Sequence, residues 1–387
     1  MDNAATSFPK PRGVMEAMVR YATEIGASAG RGGYEEAMQA AAAIAECRAR
    51  LQRLFNGERA EHFIFTQNCT DALNLAIKGL IDPAKKSHVI CTAIDHNSIL
   101  RPINAMMQRG WVEVTRVPVD PRTGLVDPEA IRRAVRSDTK LIAMTHVSNV
   151  SGTVQPIRQI GQIARERAVP LVVDAAQSVG HVPIDVQADC IDLLAAPGHK
   201  GLLGPLGTGF LYIRPGIEKI LGTIREGGTG SISELDVQPD FLPDKYEPGS
   251  HNAIGIIGLS EGVKYVLDQT VESLLAAEMD LVRVFIDGVG QIDGLTYVGP
   301  QGVKHRIGVF SVRVEGHEPQ ELSAVLEANF GILTRSGIHC APLAHAAFGT
   351  VDRGGTTRLS FGPFLSKQDV KYATDALAEI ATSRVIV

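Results

Sequence analysis

A lysine, an aspartate, a histidine, an asparagine and a helix start each follow a short apolar run in this 387-residue chain. Lys200 stands in "APGHKGLLGPLGTGFLYIRPG", where the next charged residue is Arg214. Asp174 closes "PLVVD" and is followed by Ala175, Ala176 and Gln177. His96 and Asn149 come just after "HVICT" and "KLIAMTHV", and "HFIFT" leads through Cys69 to Thr70 and a helical pattern. An amine set among glycines and leucines gives up its charge readily, because burial penalises the ammonium form. With a carboxylate in the same pocket, that amine suits pyridoxal phosphate. The lysine forms a Schiff base with the aldehyde, and the carboxylate keeps the pyridine nitrogen protonated. The N–H groups of a helix opening at Thr70 would receive the phosphate.

These groups converge only if the runs are neighbouring strands. Between residues 60 and 215 the runs "HFIFT", "HVICT", "VEVTRVPV", "KLIAMTHV", "PLVVD", "DLLAA" and "TGFLYIR" are interspersed with helical patterns such as "TDALNLAIKGL", "DPEAIRRAV" and "IRQIGQIARERA". That alternation predicts an α/β fold with a mostly parallel sheet covered on both faces. Ligands of such sheets bind beyond the carboxyl ends of the strands, where all five groups fall. "EPGSHNAIGIIGLSEGVKYVLDQ" ends in a long connecting helix, and the rhythm then changes. "RIGVFSVRVEG" reads as strand, while "EPQELSAVLEANFG" and "KQDVKYATDALAEIATS" read as helices. The expected organisation is an N-terminal arm (1–13) packing with the small domain, a large cofactor-binding domain (14–255), and a linking helix with a smaller α+β domain (256–387).

Composition narrows the function classes. The formal net charge is −5 with no long charge run, which disfavours nucleic acid. No apolar stretch approaches the roughly 20 residues of a membrane span, and "MDNAATSFPKPRG" lacks the plan of a signal peptide. The five cysteines are odd in number and widely spaced, so a disulfide framework is not expected and a reducing cytoplasm is. "TQNCTDAL" holds no glycine and "GTGFLY" precedes a strand rather than a helix, so the dinucleotide fingerprint is missing.

The segments "MDNAATSFPKP", "DHNSILRP", "THVSNVSGTVQPI", "VDAAQSVGHVPIDV", "GHKGLLGPLGTGFLYIR", "REGGTGSISE", "EPGSHN" and "RSGIHCAPLAH" occur in this order along the chain. Together they resemble the cysteine desulfurases of the class V aminotransferase family, on the type I pyridoxal-phosphate fold. The resemblance implies that Lys200 carries the cofactor, Asp174 pairs with its pyridine nitrogen, and Gln177 bonds its phenolic oxygen. It implies further that His96 stacks on the ring, that Thr70, with Cys69 beside it, and His199 hold the phosphate, and that Ser250 reaches the phosphate across a homodimer interface. Arg358 would take the substrate carboxylate, with Asn149 and Arg31 facing the substrate. Cys340 matches the sulfur-accepting nucleophile. The implied reaction turns L-cysteine into L-alanine and leaves a persulfide on Cys340, with Lys200 or His96 moving the Cα proton. A sulfur-acceptor protein or small thiol would then take the sulfur.

Plainer readings stand beside these. Cys47, Cys69, Cys91 and Cys190 read as small buried filler. His339, Cys340 and His345 share one short loop that offers no complete metal-ligand set, whereas Arg335 and His339 could place positive charge near the thiol. Pro197 stands where many of the family carry a phosphate-binding hydroxyl. Selenocysteine lyase is a close variant of the implied function. Another class V aminotransferase or lyase is a further alternative, and it would not need Cys340.

Overall fold

The computed structural model describes residues 1–29, 32–232 and 234–383. Helices α1 (Arg12–Arg20) and α2 (Glu35–Phe55) precede the first strand, β1 (Phe63–Thr66). Strand and helix then alternate: α3 (Cys69–Gly79), β2 (Ser87–Thr92), α4 (Asn97–Gln108), β3 (Val112–Val117), α5 (Pro128–Ala134), β4 (Thr139–Thr145), α6 (Ile157–Glu166) and β5 (Leu171–Asp174). Strands β6 (Leu193–Pro197) and β7 (Gly209–Ile213) complete a seven-stranded sheet in the order β1-β7-β6-β5-β4-β2-β3. β7 runs antiparallel to both its neighbours, and the remaining pairs are parallel.

Each apolar run in this sheet feeds two cores. Phe63, Phe65, Ile90, Ile142, Met144, Leu171, Val173, Leu194, Phe210 and Tyr212 face one of them. The alternate residues Ile64, Val89, Cys91, Leu141, Ala143, Val172, Leu193 and Leu211 face the other. Side chains of a strand point to opposite faces in turn, so a strand covered on both sides must be apolar throughout. All seven expected strands are present, and β3, at the sheet edge, is only partly covered, with Glu113 and Arg116 exposed.

The long helix α7 (Ala253–Gln269) packs on α1 and α2, and α8 (Val271–Val289) leads into the second unit. There β8 (Leu295–Tyr297), β9 (Val309–Val314), α9 (Pro319–Phe330), β10 (Arg335–Gly337), α10 (Pro342–Ala347), β11 (Thr356–Ser360) and α11 (Lys367–Thr382) follow. Its four strands form an antiparallel sheet, β10-β11-β9-β8, over a core that includes Phe285, Phe310, Phe361 and Leu377. The arm ties the two units together. Asp2 bridges to Ser360 on β11, while Ser7 donates its N–H to the His199 carbonyl at 3.1 Å.

Candidate active site

The carboxyl ends of β1, β2, β4, β5 and β6 open on one pocket whose walls include Thr70, His96, Asn149, Asp174, Gln177 and Lys200. Asp174 is buried at the end of β5. Its Oδ1 accepts the Ala176 N–H at 2.9 Å and the Cys69 thiol at 3.5 Å, and Oδ2 has no partner among the described residues. The Lys200 amine likewise meets no acceptor among the described residues. Burial pushes its pKa down, the Asp174 carboxylate opposes that shift, and the Arg358 guanidinium adds to it.

His96 caps the N-terminus of α4. Its Nδ1 accepts the Ser98 N–H at 3.1 Å and lies 2.9 Å from Ser98 Oγ. Burial pushes its pKa to about 4, although Asp174 pulls the other way. A neutral imidazole that accepts at Nδ1 carries its hydrogen on Nε2, so Nε2 is a donor. Ser98 also touches Thr70, with 2.9 Å between the hydroxyl oxygens. The N-cap of α3 is Asn68, whose side chain accepts the Asp71 N–H at 2.9 Å. The N–H groups of Cys69 and Thr70, next in the same turn, meet no acceptor among the described residues.

The arm lies against the other side of the pocket. Gln177 Nε2 donates to the Ala4 carbonyl at 2.9 Å, and His199 Nδ1 lies 3.1 Å from Thr6 Oγ1. Lys10 donates to the His199 carbonyl at 2.8 Å. Burial, reinforced by the charges of Lys200 and Lys10, lowers the His199 pKa to about 4, so this ring too is neutral.

The smaller sheet brings the thiol and the guanidiniums. After β10 the backbone turns through His339 and Cys340, both left-handed, at φ +51° and +60°. Non-glycine residues pay for that conformation, so contacts around the turn must hold it. Asn149 Nδ2 donates to the His339 carbonyl at 2.6 Å, and the Asn97 N–H donates to the Cys340 carbonyl at 2.8 Å. The loop is thereby pinned to the pocket wall and to the start of α4. Arg335 Nη2 donates to Cys340 Sγ at 3.1 Å. His339 supplies no charge, contrary to the sequence expectation. Burial, with Arg358 and His345 beside it, drives its pKa down to about 2.

Arg358, in the middle of β11, is 1% exposed. Its Nη2 donates to Asp2 Oδ1 at 2.7 Å and its Nη1 to the Asn149 carbonyl at 3.3 Å, while the buried Nε has no partner among the described residues. Ser250 lies apart from the lysine, in a separate hollow with Gln67, Asp71, Arg225 and Asn252. Arg31 falls outside the described residues.

The fold is shared with known proteins. The model for class V aminotransferases matches residues 1–373. The chain belongs to the class V aminotransferase family. A probable cysteine desulfurase of Methanothermobacter thermautotrophicus is 34% identical over 385 residues, covering 98% of this chain and 94% of that protein. The structure of a cysteine desulfurase from Thermococcus onnurineus matches with a TM-score of 0.90 at 30% identity, over 98% of this chain and 94% of the other. An Escherichia coli cysteine desulfurase structure, 24% identical with a TM-score of 0.85, shares the fold over 98% of this chain and 93% of its own.

Enzymes of the class V aminotransferase family use pyridoxal phosphate. The residues present here fit that group. Among the described residues Asp174 keeps one carboxylate oxygen free, Lys200 has an unpaired amine, and two buried oxygens on the pocket wall, Thr145 Oγ1 and Asn149 Oδ1, lack partners. The open N–H groups at the start of α3 suit an anion.

Three contributors escaped the sequence reading. Ser98 links His96 to Thr70, Asp2 holds Arg358, and Thr145 faces the pocket from the end of β4. Ser98 and Asp2 lie inside segments already singled out, "DHNS" and "MDNAAT". Two residues' separation from His96, the spacing of a capping turn, was the signal available for Ser98.

Proposed function

We propose that this chain is a cysteine desulfurase that converts L-cysteine to L-alanine and receives the sulfur on Cys340. The observation that carries this reading is a thiol that a guanidinium touches, on a loop tied to the wall of the lysine pocket. Transamination has no use for a nucleophile placed there.

Pyridoxal phosphate, when bound, supplies the electron sink that makes the substrate Cα–H acidic and its C–S bond breakable. Lys200 would anchor it, Asp174 Oδ2 would meet its pyridine nitrogen, and the start of α3 with Thr70 and His199 would take its phosphate. Pro197 offers no hydroxyl at the end of β6, so the phosphate relies on the others. Arg358 would receive the substrate carboxylate and Asn149 would face the substrate.

The Lys200 amine carries the Cα proton. Its lowered pKa favours a free base, whereas His96 Nε2 already bears a hydrogen. Cys340 then attacks the substrate sulfur. The new S–S bond forms as the C–S bond breaks, the thiol hydrogen is released, and carbon gains a hydrogen. Alanine and an enzyme persulfide are the balanced products of cysteine and one enzyme thiol. A thiol, free or on an acceptor protein, restores Cys340.

The resemblance gives Ser250 its phosphate role across a dimer interface, and its place in a hollow separate from Lys200 fits a homodimer. The five unpaired cysteines fit a reducing cytoplasm. The division at residues 13 and 255 stands as the proposed domain assignment, with the second boundary falling just inside α7. Incubation with L-cysteine followed by mass analysis of the Cys340 peptide tests the reading. One added sulfur atom, removable by reductant, is expected; alanine formation with an unmodified Cys340 would refute it.

A further inference from the structure

Arg335 and Arg358 are register partners in the β10–β11 pair. Residues directly opposite in an antiparallel pair project from the same face with Cβ atoms about 4.5–5.5 Å apart. Both guanidiniums act on the same pocket, since each depresses the Lys200 pKa and Arg335 also depresses that of Arg358. Among the described residues the pair has one carboxylate within ion-pair distance, Asp2, which holds Arg358 Nη2 at 2.7 Å. The side-chain partner of Arg335 is the Cys340 sulfur. Two cations therefore share one fixed anion, and the uncompensated charge is that of a single guanidinium.

Asp2 does not exhaust Arg358. It engages one nitrogen, and among the described residues Nη1 keeps only a long contact to the Asn149 carbonyl and the buried Nε–H is unsatisfied. Arginine has five N–H donors, so a ligand carboxylate can join Asp2 on the same group. The arm fixes Asp2 there: the Ser360 N–H donates to the Met1 carbonyl at 2.8 Å, and the Ala4 N–H donates to Ser360 Oγ at 2.8 Å.

We propose that Asp2 is a specificity residue: it neutralises one of the two facing guanidiniums, so the pocket accepts an amino acid with one carboxylate and discriminates against one with a second anionic group. The inference rests on the reading of Arg358 as the substrate-carboxylate receptor. An α-carboxylate cancels the single uncompensated charge. With the α-carboxylate on Arg358, a side-chain anion one or two carbons away would make three carboxylates, Asp2 included, against two guanidiniums. Removing the Asp2 charge leaves two, and L-aspartate, close to cysteine in length, then has a partner for each carboxylate.

The test is calorimetric titration of the cofactor-loaded protein with L-alanine and L-aspartate, for the parent and for Asp2→Asn, Ser360→Ala and Arg358→Gln. The ratio of the two dissociation constants cancels any loosening of the arm that weakens both ligands alike. Asp2→Asn should shift that ratio towards aspartate by about ten-fold or more. Ser360→Ala, which loosens the arm without altering charge, should leave it within about two-fold, a shift of less than roughly 0.5 kcal/mol. An unchanged ratio in Asp2→Asn overturns the proposal, as does an equal shift in Ser360→Ala. Arg358→Gln separates the two layers: weakened binding of both ligands keeps the carboxylate receptor even if the ratio test fails, whereas full-strength binding removes the receptor and the proposal with it.

Discussion

The Arg335 guanidinium donates to the Cys340 sulfur at 3.1 Å, across the left-handed turn that follows β10. A fixed positive donor lowers the cost of developing negative charge on the atom that must attack. Hydrogen bonds to charged groups contribute about 1.5–3 kcal/mol, which corresponds to roughly ten- to a hundred-fold in rate. Arg335→Ala should slow single-turnover persulfide formation by that amount, and Arg335→Lys should recover part of it. A rate equal to the parent's would remove Arg335 from the sulfur step.

Asp95 is fully buried and clamps two strand ends. Its Oδ1 accepts the Thr145 N–H at 2.7 Å and its Oδ2 the Thr92 N–H at 2.6 Å, so β2 and β4 are stapled where His96 and Thr145 leave the sheet. Burial pushes its carboxyl up to about 7 in spite of those bonds. Asp95→Ala strands two buried donors and should cost about 2 kcal/mol or more. Urea unfolding of the parent and the variant provides the measurement; equal midpoints would mean that the staple contributes nothing.

His146 is buried, its Nδ1 has no partner among the described residues, and burial alone lowers its pKa from 6.5 to about 4. The folded state thus binds fewer protons than the unfolded chain between those values, and its stability falls as pH drops from about 6.5 towards 4. Asp95 works in the opposite direction over an overlapping window, because its raised pKa favours the folded state at low pH. A comparison with His146→Gln isolates the histidine. The difference in unfolding free energy between parent and variant should change by up to ~1.4 kcal/mol per pH unit across that window, in favour of the variant at low pH. A pH-independent difference would contradict the neutral, buried assignment.

The large sheet was legible because a strand covered on both faces must be apolar at every position, and Phe63–Thr66 or Leu171–Asp174 admits few other readings. The chemistry-bearing residues were legible because they follow those strands directly. The smaller sheet was less so. β8 and β10 span three residues each, too short for any period to show. Contacts set by distant segments were out of reach: Asp2 and Arg358 meet across almost the whole chain, and nothing local to either announces the other. The same applies to His339, whose position next to Cys340 suggested a positive charge until burial removed it.

The most direct measurement is alanine released from L-cysteine by the cofactor-loaded protein and by its Cys340→Ala variant, with a thiol reductant present. Alanine from the parent and little or none from the variant is the expected result, since the C–S bond breaks only as Cys340 takes the sulfur. Equal alanine from both would contradict the assignment of Cys340 and mean that another thiol, the added reductant included, takes the sulfur from the substrate.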